Sequence, residues 1–191
     1  MYRKTWMQVN LDKIERNLIK LKDICQKKII AVLKADAYGC GDIHVARAVL
    51  EAGAEMIAVS SLDEALVLRN EGYSGKLLIL GATEASDIPV LIKQGISCTA
   101  YSDEWVDNVI QQNCADLHVH LKMDTGMSRI GFRTIDELHS AFNKLQAANC
   151  TMEGIFTHFC CADSDLELTN LQFSKFKEAV ESFSYSFPWV H

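Results

Sequence analysis

Two prolines in 191 residues leave little to interrupt regular structure, and no glycine- or serine-rich stretch marks a linker. Long apolar runs are missing as well. The longest hold about half a dozen residues, far below the roughly 20 needed to span a bilayer. The opening, MYRKTWMQVNLDKIERN, carries a charge every few residues and so has no signal-peptide core. Positive charge is in short supply: 19 Lys and Arg against 25 Asp and Glu give a net charge of −6, which excludes a generally basic, nucleic-acid-binding surface. Any anionic ligand must be held by local groups. Cysteine is not scarce, but its seven positions form an odd set with neither CxxC nor zinc-finger spacing. They read as reduced thiols of a cytoplasmic protein. The neighbours Cys160 and Cys161 are poorly placed for a relaxed disulfide and read as structural thiols.

What recurs instead is a regular beat of short apolar runs: IIAVL (29–33), MIAV (56–59), LLIL (77–80), ISCTAY (96–101), LHVHLKM (117–123) and GIFTHF (154–159). Helical patterns fill the gaps. Leu11, Ile14, Leu18 and Leu21 draw one stripe, and Val45, Ala46, Val49 and Leu50 another. Ser61 with Glu64, Thr134 with Glu137 and Ser164 with Glu167 have the spacing of capping boxes. Strands alternating with helices every 20 to 35 residues predict right-handed βαβ units and a parallel sheet. Six such units follow an opening WMQVNL strand, and a seventh strand begins at PWVH. A (β/α)8 barrel needs eight strands and about 250 residues. The fold class expected is therefore α/β, a TIM-type (β/α)8 barrel that is incomplete, on a chain that reads as truncated.

Active sites of parallel barrels lie at the C-terminal ends of the strands, so polar residues there carry the most weight. Lys34 follows IIAVL, Lys122 sits in LHVHLK, Arg129 lies in the loop after the fifth strand, and His158 closes GIFT. Such a set gathers negative charge, although any one of these residues alone could be an ordinary surface charge. Lys34 has the sharpest reading. A lysine in a low-dielectric pocket loses its proton readily and attacks carbonyls, as Schiff-base lysines do. Gly39 and Gly41 permit close backbone approach just beyond it, and the Tyr38 hydroxyl is in reach of an anion such as a phosphate.

IIAVLKADAYGCG (29–41) resembles the pyridoxal-phosphate lysine motif of alanine racemases, LKMDTGMSRIGF (121–132) their second signature, and GIFTHFCCAD (154–163) a third. The three occur in the family's order and spacing, and the likeness runs from WMQVNLDKI to the closing WVH. The resemblance implies that residues 1–191 form the N-terminal cofactor-binding barrel domain, with the last barrel strands and a β-rich C-terminal domain beyond it. It implies interconversion of L- and D-alanine, supplying D-alanine for peptidoglycan, by a cytoplasmic homodimer that binds neither nucleic acid nor membrane. Lys34 would be the Schiff-base lysine and the base on one face of the substrate; Tyr38 would bind the cofactor phosphate. Arg129 would face the phenolic oxygen, steadied by Lys122, which is carbamylated in some members. His158 would belong to the network behind the cofactor, with His191 near its edge. Racemisation needs a base on each face, and the family's second base is a tyrosine of the C-terminal domain, delivered across the dimer. These 191 residues alone are therefore expected to racemise poorly or not at all.

Cys40 stands where the lysine motif usually has histidine, and Ser128 where the second usually has glycine. Two related readings stay open: a serine or broad-specificity racemase, and a non-catalytic barrel that holds pyridoxal phosphate without turnover. A different class is raised by His118 and His120, an HxH on a strand that places both on one face with Lys122 and could bind metal with His158 and Asp163. The blander and preferred reading is a layer of polar side chains in the barrel interior, with no metal. His44 and His139 fall on helices and read as solvent-facing; the stripe Phe173, Phe176, Val180, Phe183 reads as core packing, partly exposed.

Overall fold

The structure, a computed structural model, describes residues 4–191. The chain forms two compact units, Met1–Leu78 and Ile79–His191, which divide within strand β3 (Leu77–Ile79). In the first unit α1 (Leu11–Cys25) leads into β1 (Ile30–Val32), the one-turn helix α2 (Lys34–Gly39), α3 (Asp42–Glu51), β2 (Met56–Val59) and α4 (Leu62–Asn70). β1 and β2 are parallel, with Ile30 opposite Met56, and Ile57 N–H donates to the Lys76 carbonyl at the foot of β3. Every residue of β2 is buried, which is why MIAV is a continuous apolar run and not an alternating one. α3 buries Val45, Ala46, Ala48 and Val49. The α1 stripe behaves differently: Leu18 is buried, but Leu21 and Ile24 are exposed.

The second unit continues with α5 (Ile88–Gln94), β4 (Ile96–Ala100), α6 (Asp103–Ile110), β5 (His118–Lys122), α7 (Ile135–Ala147), β6 (Thr151–Phe156), α8 (Leu166–Glu181) and β7 (Trp189–Val190). β4 to β7 pair in sequence order and all in parallel, with Cys98 opposite Val119, His120 opposite Gly154, and Gly154 opposite Trp189. Sequential parallel strands joined by helices are the βαβ repeat that the sequence predicts. Leu117 just before β5, Leu121 and Ile155 from the strands, and Leu138 and Leu145 from α7 are fully buried. Thr134 and Glu137 make the full reciprocal capping box of α7. Among the described residues no helix is long and apolar enough to cross a membrane.

Several sequence expectations are corrected. Residues 4–10 form no strand, and Trp6 and Met7 are largely exposed. Alternation favours a strand only where a neighbour completes its ladder, and none pairs with this stretch among the described residues. The sixth strand starts at Thr151, three residues earlier than GIFTHF indicates. Gly154 looked like its boundary but lies inside it, because the His120 ring occupies the space a Cβ would take. α8 is capped by Asp165, whose carboxylate accepts from Leu168 N–H at 2.9 Å, rather than by Ser164. His139 is not simply solvent-facing: its ring stacks on Phe183 at 4.1 Å and bonds Ser182 Oγ at 2.9 Å. His44 is exposed, as is Phe173, while Phe176 is buried.

Candidate active site

β1 ends where Leu33 N–H bonds the Ala58 carbonyl, and the chain then does something L-residues avoid. Ala35, Asp36, Ala37 and Tyr38 all adopt left-handed helical angles, φ between 51° and 58°. The left-handed α-conformation costs roughly 1–2 kcal/mol per L-residue, so four in a row store several kcal/mol. Gly39 and Gly41, at φ 84° and 89°, carry the chain out of the turn; no atom lies within 4 Å of a Cβ added to either, so their requirement is conformational. The turn is held by Ala37 N–H to Leu33 O (2.9 Å), Gly41 N–H to Asp36 O (3.0 Å) and Asp42 N–H to Asp36 Oδ1 (2.8 Å). Lys34 opens it, half-buried, with its Nζ 5.8 Å from the centre of the Tyr38 ring. Tyr38 itself is 65% exposed, which leaves its hydroxyl available.

A second carboxylate reaches this turn from α4. Ser61 caps α4 by accepting Glu64 N–H, while the Glu64 side chain extends past the cap. Its Oε2 accepts Ser60 N–H (2.7 Å) and Ser60 Oγ–H (2.8 Å), and its Oε1 accepts Ala35 N–H at 2.8 Å. Burial alone would raise the Glu64 pKa, but hydrogen bonds from Ala35, Ser60 and Ser61 outweigh it and hold the carboxyl below its ordinary value.

In the second unit, Lys122 ends β5 with only 2% of its surface exposed. Its Nζ lies 5.2 Å from the centre of the Phe156 ring. Burial first, then the charge of Arg129, push its pKa down to about 8, with Asp124 pulling the other way. The MDTGMSRIGF segment that follows is a loop closed on itself: Asp124 N–H donates to Phe132 O and Phe132 N–H to Lys122 O. Inside it the Asp124 carboxylate accepts from Gly126 N–H and Ser128 N–H. Gly131, at φ 126°, sits so close to the loop's neck that a Cβ would lie 2.8 Å from Asp124 N and 2.9 Å from Lys122 O. Ser128 adopts φ 59°, a left-handed conformation that favours glycine. Arg129 rides exposed on this loop, and His158 lies exposed two residues beyond β6.

Beneath Lys122 is a buried polar chain. His191 stacks flat on Phe156 (4.7 Å between centres) and its Nε2 meets His120 Nδ1 at 2.9 Å. His120 Nε2 lies 3.4 Å from Glu153 Oε2, which also accepts Ser97 Oγ–H at 2.5 Å and has His118 Nδ1 3.6 Å away. Both histidines of the HxH thus face one carboxylate, on the shared face the spacing predicts, with His120 buried and His118 at the exposed rim. Among the described residues no group of three or more His, Cys, Asp or Glu side chains is placed to hold a metal ion. Burial, then the charges of His120 and Lys122, push His191 down to about 3, so its imidazole is neutral at physiological pH.

A family model described as the N-terminal domain of alanine racemase matches residues 9–191. The chain belongs to the alanine racemase family. Alanine racemase 1 of Oceanobacillus iheyensis is 39% identical, covering all of this chain and 53% of that protein. Alanine racemase of Geobacillus stearothermophilus is 36% identical over all of this chain and 50% of its own length. The chain spans about half the length of the curated relatives it matches. Among solved structures, alanine racemase from Bacillus anthracis with bound L-Ala-P aligns with a TM-score of 0.90 at 36% identity, over all of this chain and 52% of that one. That likeness assigns the fold class: a TIM-type (β/α)8 barrel, of which this chain carries an incomplete set of strands. Histidine racemase from Leuconostoc mesenteroides aligns with a TM-score of 0.89 at 28% identity, over 95% of this chain and 50% of its own.

Within the first unit the structure places Lys34 and Tyr38 on one turn; within the second it gathers Lys122, Arg129 and His191 around Phe156 and the MDTG loop. Sequence reading missed two carboxylates. Glu64 was visible only as half of a capping box, and nothing in that pattern announces its second partner 29 residues away. Glu153 fell just outside the strand drawn from GIFTHF; a lone acid in an otherwise apolar strand was the available signal.

Proposed function

We propose that the protein carrying this chain is a pyridoxal-phosphate-dependent alanine racemase, a cytoplasmic homodimer that interconverts L- and D-alanine and supplies D-alanine for peptidoglycan. The observation that carries the reading is Lys34: a half-buried amine at the end of a parallel strand, set on a strained left-handed turn. Strain of this kind persists where surrounding structure over-determines it, and it clusters at functional sites. The residues present fit the cofactor. An amine stands ready for its aldehyde, the exposed Tyr38 hydroxyl can donate to its phosphate, and the exposed Arg129 guanidinium suits an anionic oxygen.

When bound, pyridoxal phosphate supplies the electron sink that makes an amino acid's α-proton removable near neutral pH. The chain's own residues do the rest. Lys34 Nζ takes and returns the α-proton on one face only, and the base for the other face comes from the partner subunit, which is why a homodimer is proposed. Tyr38 anchors the phosphate. Arg129 orients the phenolic oxygen, and Lys122 holds Arg129. With a pKa near 8, Lys122 is about one-tenth neutral at pH 7, enough to attack CO2, form a C–N bond and release a proton. The resulting carbamate replaces a cation beside Arg129 with an anion. His158 and the neutral His191 would join the hydrogen-bond network around the bound cofactor, His191 being fixed by Phe156 and His120.

A neighbour named for histidine shares this half of the fold, so the substrate is the point on which the rival readings differ. Serine racemisation and cofactor binding without turnover are the competing outcomes. The test is to incubate the chain with pyridoxal phosphate, reduce with borohydride and map the modified lysine by mass spectrometry. A phosphopyridoxyl group confined to Lys34 supports the reading. Labelling scattered over surface lysines overturns it.

A further inference from the structure

We propose that Glu64 is the positioning residue for Lys34: its carboxylate latches the left-handed turn in the conformation that presents the lysine amine. This rests on the reading of Lys34 as the cofactor-binding lysine. The geometry is specific. Lys34 is followed at once by Ala35, the first left-handed residue, and the Ala35 N–H points into Glu64 Oε1 at 2.8 Å. The other oxygen, Oε2, is committed to Ser60 through both its N–H and its hydroxyl, at 2.7 and 2.8 Å. One carboxylate therefore ties Ala35, three residues beyond β1, to Ser60, the residue after β2, and the parallel pairing of Val32 with Ala58 sets the two strand ends side by side.

The energetics explain why a latch is needed. Ala35 to Tyr38 occupy a conformation unfavourable to L-residues, and nothing in the side chains of Ala35 or Ala37 prefers it. A right-handed turn would relieve the strain and would move both the Ala35 N–H and the Lys34 side chain. Hydrogen bonds to an ionised acceptor are stronger than those of a neutral pair. Of the three on this carboxylate, the Ala35 bond holds the turn and the two Ser60 bonds hold the carboxylate in place, so the latch works only while both oxygens accept. An amide cannot substitute: Glu64→Gln keeps one acceptor oxygen and turns an NH2 toward either Ala35 N–H or the Ser60 donors. The capping-box position is thus used twice, once by the Glu64 backbone for α4 and once by its side chain for the lysine turn.

The experiment compares the wild-type chain with Glu64→Gln and Glu64→Ala. Folding of each is checked by urea denaturation, and measurements are made where each is more than about 95% folded. Amide hydrogen exchange at Ala35 reads the latch without any cofactor. Reduction with borohydride after brief exposure to pyridoxal phosphate reads the amine, with Lys20 and Lys93 on the surface as internal references. The expected result is loss of Ala35 protection in both variants together with an at least tenfold slower labelling of Lys34, the reference lysines being unchanged. A purely structural role would lower the denaturation midpoint and leave the ratio of Lys34 to reference labelling where it was. Folded variants that label Lys34 at the wild-type rate, or that keep Ala35 protected, overturn the proposal. A wild-type chain that fails to label Lys34 at all overturns the functional reading beneath it, so the two failures are told apart.

Discussion

Replacing Gly154 with alanine sets a single methyl group against the buried histidine chain. The new Cβ would lie 2.3 Å from His120 Nδ1 and 2.6 Å from Cε1, where about 3.4 Å is ordinary contact, so the ring must retreat by roughly 1 Å. It has nowhere to go. His120 is fully buried, with Nδ1 on His191 and Nε2 facing Glu153. Overpacking a well-filled site costs about 1–3 kcal/mol, and leaving a buried polar group without its partner costs about 1–3 more. We therefore expect Gly154→Ala to destabilise the chain by about 4 kcal/mol. With a urea m-value of about 3 kcal/mol/M, the midpoint falls by more than 1 M, followed by tryptophan fluorescence. The decisive comparison is the double variant. If the clash is with the ring, Gly154→Ala adds almost nothing to His120→Ala, because the methyl then fills space the ring has left. A single variant within 1 kcal/mol of wild type, or a double variant whose losses simply add, would falsify the account of this strand.

Three further outcomes follow from the same geometry. Gly131→Ala, which puts a Cβ onto backbone atoms at a positive φ, should cost at least about 3 kcal/mol by urea denaturation, since neither Asp124 N nor Lys122 O can move without opening the loop. Ser128→Gly relieves a left-handed serine at an exposed position and should raise the melting temperature by a few degrees, about 1 kcal/mol. Lys122→Met should stabilise the chain at pH 7 in CO2-free buffer by up to about 3 kcal/mol. The folded pKa of Lys122, about 8, lies below its ordinary 10.5, so the unfolded chain binds more protons between those values and wild-type stability rises with pH across that window. The advantage of the methionine should shrink from pH 8 upward and vanish near pH 11; an advantage constant with pH would refute the assignment.

The strands were readable because a buried parallel strand must be apolar on both faces, so Met56–Val59 and Ile96–Ala100 stand out as runs. The strand-end positions of Lys34 and Lys122 followed from those runs, and three family motifs supplied the roles proposed for them. What stayed hidden depends on contacts between distant residues. Ala35 and Ala37 are good right-handed helix formers, so KADAYG gives no local warning of a left-handed turn; tertiary hydrogen bonds override the propensity. His120 and His191 lie 71 residues apart and meet because their strands flank β6. Gly154 misled for a related reason: in isolation a glycine reads as a break, and only the ring opposite shows that it is a socket. Met7 to Leu11 alternate as a strand should, but alternation describes one edge of a ladder and says nothing of the other.

The left-handed turn has a stereochemical consequence. Backbone angles that burden an L-alanine are those a D-alanine prefers, since mirror-image residues have mirror-image energy maps. Ala35 is exposed, so inverting its α-carbon by chemical ligation would leave the core untouched while exchanging a penalty of about 1–2 kcal/mol for a preference. A chain proposed to make D-alanine thus contains, one residue from its reactive lysine, a site where that product would fit its own backbone better than the residue translation supplies.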